Sequence, residues 1–136
     1  MKASASYSVK QWQESTVREM AGPMKITKAS VAYQMSGDLE GDASVEYLMF
    51  YRHFDSNDQH NSAAMYVGLI HFEGTVIGKT GTFVLEDQGA FEAGSANSRL
   101  RIAEGSGTGG LKDIHGTGSY QANADGCNLK LEYDFK

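Results

Sequence analysis

The chain has one cysteine, one proline and one tryptophan in 136 residues, and no excess of basic charge. A lone cysteine, Cys127, has no partner for an intramolecular disulfide and offers no zinc-ligand pair, which points to a reducing compartment. The 12 Lys and Arg against 17 Asp and Glu leave a net charge of −5, with no basic block. Such a balance is not built to neutralise a phosphate backbone, so nucleic acid is excluded as a partner. No run approaches the ~18 apolar residues of a membrane span. The stretch Met1–Lys10 alternates small, polar and apolar residues and lacks the apolar core of a signal peptide. The expectation is one cytoplasmic domain over residues 1–136 that does not engage membranes.

With proline almost absent, punctuation falls to 16 glycines. Between them run segments rich in Val, Ile, Thr, Tyr and Phe that alternate with period two, the signature of strands. Eight are predicted, over 4–12, 25–39, 42–54, 63–77, 80–91, 96–104, 114–123 and 127–135. In the last, Leu129, Leu131, Tyr133 and Phe135 form a dry face against Asn128, Lys130, Glu132 and Asp134. The first reads alike, with Ala5, Tyr7 and Val9 against Ser6, Ser8 and Lys10. Pairing of these two would remove the free edges. The predicted fold is all-β, a closed eight-stranded antiparallel up-and-down barrel with almost no helix. Only Gln13–Met24 leaves room for a helical turn, and Gly22–Pro23 would stop it.

The third and fourth strands carry large apolar groups on both faces: Val45, Tyr47, Met49 and Tyr51 on one, Leu48 and Phe50 on the other, then Met65, Val67 and Leu69 against Tyr66, Ile70 and Phe72. One face enters the interior. The other needs cover, and a homodimer through 42–54 and 63–77 supplies it. The turn between the fourth and fifth strands is placed at Gly78–Lys79, a type II′ hairpin. Counting back from it sets His71 opposite Glu86 and Phe72 opposite Leu85, an imidazole beside a carboxylate.

Several stretches resemble a group of small uncharacterised bacterial proteins related in fold to the allene oxide cyclase barrel. They are Val45–Arg52, Tyr66–Val67–Gly68–Leu69, Gly78–Leu85 and Gly105–Ser106–Gly107–Thr108–Gly109. The resemblance covers most of the chain from about Lys28 onward and implies an eight-stranded antiparallel barrel without an assigned reaction. The group carries Glu–Arg where this chain has Ile70–His71, and Gln–His where it has Glu86–Asp87. Any pocket lined by those positions would differ in its chemistry.

Other motifs reduce to structure. Gly105, Gly107 and Gly110 fit G-x-G-x-x-G, but no βαβ unit surrounds them, so they form a turn. Gly74–Thr80 has too few residues between its glycines for a phosphate loop and reads as a hairpin. Asp55–Asn61 lacks the mid-loop Gly and terminal Glu of a calcium hand and reads as a solvated loop. His53, His60, His71 and His115 keep no metal spacing, and no metal or cofactor is expected. Cys127 has no base to activate it. Glu46 sits among Leu48 and Phe50, where a carboxylate is either solvated or deliberately buried. Arg52 shares its face and suits a carboxylate partner. Tyr47, Tyr51 and Tyr133 need hydrogen-bond partners wherever they are buried.

The candidate ligand-binding residues are Glu46, Tyr47, Arg52, His71, Glu86 and Tyr133. The expected function is to bind a small apolar molecule in the barrel lumen. The alternatives are an isomerase or cyclase acting on an apolar substrate, and a structural oligomer whose barrel is filled by its own side chains. No nucleophile–base set can be assembled that would decide for an enzyme.

Overall fold

A computed structural model describes residues 1–55, 57, 62–124 and 126–136. Eight antiparallel strands follow one another: β1 (Lys2–Glu19), β2 (Lys25–Gly37), β3 (Leu39–His53), β4 (Ala63–Val76), β5 (Lys79–Glu92), β6 (Ser95–Ile102), β7 (Ile114–Asn123) and β8 (Gly126–Phe135). Each pairs with the next, and β8 returns to β1, so the sheet is a ring. Among the described residues no helix is long and apolar enough to cross a membrane. Among the described residues one 3₁₀ turn, Gly109–Leu111, interrupts the strands.

Alternation decides what faces inward. In β3 every odd-numbered residue from Ala43 to Tyr51 is buried, while Ser44, Glu46 and Leu48 are exposed. In β8, Leu129, Leu131 and Tyr133 are buried between polar neighbours, as the sequence pattern predicts. The seam is short: only Lys2–Ala5 of β1 pairs with Leu129–Glu132 of β8.

The lower end of the ring, where β4 turns into β5, is packed solid. Phe72 and Phe83 face each other across the two strands with ring centroids 5.2 Å apart. The segment 103–111 folds under this end. Its Thr108 N–H donates to the Thr82 carbonyl at 2.9 Å, and Leu111 and Ile114 are buried as a plug beside Leu39 and Val76.

Two sequence expectations are corrected. Gln13–Glu19 is strand rather than helical turn, paired with Lys25–Ser30 of β2. Both faces of β1 are exposed along this part, so alternation had no buried side to record. The hairpin between β4 and β5 turns at Ile77–Gly78, not Gly78–Lys79. Both residues have positive φ, 42° and 83°, the geometry of a type I′ turn. The partners therefore move by two: His71 opposes Val84, and Glu86 opposes Leu69. His71 and Glu86 are not directly opposed.

Asp55 and Asn57 form a local turn in which the Asn57 N–H donates to Asp55 Oδ1 at 2.9 Å. His60 and most of the remaining Asp55–Asn61 motif lie outside the described residues.

Candidate functional site

The upper end of the ring is hollow. A cavity of about 540 Å³ opens there, walled by Val9, Trp12, Met49, Phe54, Phe91 and Ala96, with tyrosines beneath. The interior is thus half filled and half empty.

Two glycines build its floor. At one level the register runs Tyr47, Gly68, Asp87 across β3, β4 and β5. The backbones of Tyr47 and Asp87 are two strand spacings apart, about 10 Å. With no side chain at Gly68 between them, the Tyr47 ring lies over the gap and its hydroxyl donates to Asp87 Oδ2 at 3.1 Å. A Cβ on Gly68 would come within 2.6 Å of Tyr47 Cδ1. The adjacent level repeats the device with Tyr66, Gly89 and Ser98 on β4, β5 and β6. There the Tyr66 hydroxyl reaches Ser98 Oγ at 2.5 Å.

Tyr120 of β7 joins the two levels. Its hydroxyl donates to Asp87 Oδ2 at 3.2 Å and lies 3.1 Å from that of Tyr66. Tyr33 of β2 completes the set, 3.4 Å from the Tyr47 hydroxyl. Tyr7 packs over Tyr33 and Tyr120 with centroids at 4.4 and 5.6 Å. Asp87 is only 2% exposed, and its Oδ1 has no hydrogen-bond partner. Burial pushes its pKa up to about 6, against the hydrogen bonds from Tyr47 and Tyr120 that favour the carboxylate. Burial also raises the phenols, Tyr33 to about 12 and Tyr7, Tyr47, Tyr66 and Tyr120 likewise upward.

The mouth has its own polar group. Glu14 of β1 accepts from Thr27 Oγ1 at 2.6 Å, Tyr51 at 2.9 Å and Trp12 Nε1 at 3.0 Å. Lys25 lies over the Phe54 ring, 3.5 Å from its centroid.

Of the six residues singled out from sequence, Tyr47 lies in the floor. Tyr133 is buried at the lower end beside Phe135, away from the cavity. The other four point outward, because each alternates with a buried neighbour. Glu46 accepts from Ser30 Oγ at 2.6 Å, Arg52 pairs with Glu92 at 3.2 Å, Glu86 pairs with Arg101 at 3.6 Å, and His71 is exposed. The pair expected between His71 and Glu86 is replaced by Glu86 with Arg101. The key acid, Asp87, was passed over in favour of Glu86. Its signal was parity, since it shares the inward face with Phe83 and Leu85.

Comparison with known proteins is consistent with this architecture. A family model described as a protein of unknown function (DUF3224) matches residues 3–135. A crystal structure at 1.84 Å of a protein of unknown function from the same family, from Shewanella oneidensis MR-1, superposes with a TM-score of 0.76. That match has 18% identity and covers 100% of this chain and 98% of the other. No curated protein matches.

Proposed function

We propose a function from the site itself, because this chain belongs to the DUF3224 family of proteins of unknown function: it binds a small, mostly apolar molecule in the upper half of its strand ring. The observation that carries this reading is a cavity of about 540 Å³ with apolar walls and a floor of phenolic hydroxyls. Few polar groups converging in an apolar hollow are what orient a ligand. Proton abstraction, as an isomerase or cyclase needs, is less well served. Asp87 lies behind Tyr47 and Tyr120, and those phenols hold their protons. We also read the ring as a closed barrel of the allene oxide cyclase kind, on the strength of its sequential pairing.

Trp12, the sole tryptophan, lines the cavity and reports on it. N-phenyl-1-naphthylamine is expected to bind saturably, with energy transfer from Trp12. Ala96→Phe, which fills the hollow, should abolish binding and leave the circular dichroism unchanged. Absence of saturable binding to the wild type would refute the reading.

The outer face of β3 and β4 supports a homodimer. Leu48, Met65, Val67 and Leu69 are 52, 52, 47 and 57% exposed on neighbouring positions, a contiguous apolar surface of the sort monomers seldom leave bare. Sedimentation at micromolar concentration should give a dimer for the wild type and a monomer for Leu69→Glu. A monomeric wild type would end this proposal.

A further inference from the structure

The hydroxyl protons of the floor can be counted. Tyr47 and Tyr120 both donate to Asp87 Oδ2, at 3.1 and 3.2 Å. An ionised carboxylate only accepts, so both protons are committed to it. Tyr47 has then no proton left for Tyr33, and the 3.4 Å contact between them is Tyr33 donating to Tyr47. Tyr120 has likewise no proton left for Tyr66, so Tyr66 donates to Tyr120 at 3.1 Å and accepts from Ser98 at 2.5 Å. Five hydroxyls form chains that end on one carboxylate, and none has a proton to spare for the cavity. What they offer a ligand is lone pairs.

Charge points the same way. Lys25 is the one basic side chain lining the cavity among the described residues, and it lies over Phe54 at the mouth. None of these five hydroxyls would recognise an anion.

We infer that the cavity selects molecules whose polar end is a hydrogen-bond donor, a hydroxyl or an amino group, and discriminates against carboxylates and acceptor-only heads. This rests on the lumen-binding reading above and adds the chemistry of the head group. A donor completes the array, whereas an ether or carbonyl oxygen meets oxygens with no free proton and a carboxylate adds repulsion from Asp87.

The test compares octan-1-ol, methyl octyl ether and octanoate by titration calorimetry at pH 8. The alcohol should bind about tenfold more tightly than the ether, the effect of roughly one hydrogen bond, and octanoate more weakly still. In Asp87→Asn, which removes the fully accepting carboxylate, the gap between alcohol and ether should shrink toward parity. Tyr120→Phe removes one lone-pair donor to the ligand and should narrow the gap as well, which keeps the test valid should the Asn variant fold poorly. Equal binding of alcohol and ether by the wild type, or tighter binding of the ether or octanoate, overturns the head-group assignment while leaving the lumen reading intact. Failure of all three to bind overturns both.

Discussion

Asp87→Asn is expected to gain stability relative to the wild type as pH rises, by about 2.4 kcal/mol between pH 4 and pH 8. In the folded protein the Asp87 carboxyl titrates at about 6 instead of its ordinary 3.8. Between those values the folded state holds a proton that the unfolded chain has released, so wild-type stability falls as pH rises through this window. Above about 6 the whole penalty is present, and below 3.8 none of it is. Each pKa unit is worth about 1.4 kcal/mol, so the full penalty is about 3 kcal/mol, most of which develops between pH 4 and pH 8. The groups facing Asp87, namely Tyr33, Tyr47, Tyr66, Ser98 and Tyr120, stay neutral over this range, so no neighbour masks the titration. Asn carries no such dependence. Urea midpoints of both proteins at pH 4 and pH 8 measure the effect. A pH-independent difference between them would mean that Asp87 titrates alike in the folded and unfolded chains.

The second large effect belongs to the two glycines of the floor. Gly68→Ala places a methyl 2.6 Å from Tyr47 Cδ1 and 2.7 Å from the Glu46 carbonyl. Gly89→Ala places one 2.4 Å from both the Asn97 carbonyl and Ser98 Oγ. Backbone atoms in a paired sheet have little room to retreat, so each change should cost about 3 kcal/mol, the upper end for overpacking. The damage is also specific. Gly68→Ala should displace the Tyr47 hydroxyl from Asp87, and Gly89→Ala should part Tyr66 from Ser98. Urea denaturation reads the loss of stability. A cost below about 1 kcal/mol would show that the rings do not lie over these glycines.

Much of this architecture is written in the sequence at the level of parity. Alternation in β8 named the inward residues; in β3 and β4 it sorted the residues into two apolar faces without saying which turns inward, and the structure buries Val45, Tyr47, Met49 and Tyr51 with Tyr66, Ile70 and Phe72. A hairpin turn misplaced by one residue changes every partner by two and leaves every face unchanged. That is why Phe72 and Leu85 fall on one face as expected although they are not direct partners, while His71 and Glu86 do not oppose each other. Parity has nothing to act on where both faces meet solvent, as in Gln13–Glu19. The site was harder to read because it depends on what is missing. Tyr47 reaches Asp87 only because Gly68 carries no side chain, and a glycine in a strand otherwise reads as punctuation. The tyrosines of the floor come from β2, β3, β4 and β7, and only the register across those strands brings their hydroxyls together.

The seam between β1 and β8 has a mechanical consequence. The two strands run antiparallel, with Lys2 beside Glu132, so the first residues of β1 and the last of β8 lie at the same end of the contact. Tension applied between those ends loads the seam as a zipper is loaded, one hydrogen bond at a time, instead of shearing all of its bonds together. Four residue pairs resist such peeling weakly. The β1–β8 seam is the shortest ladder in the ring, and it is the line along which the ring opens first under such a load.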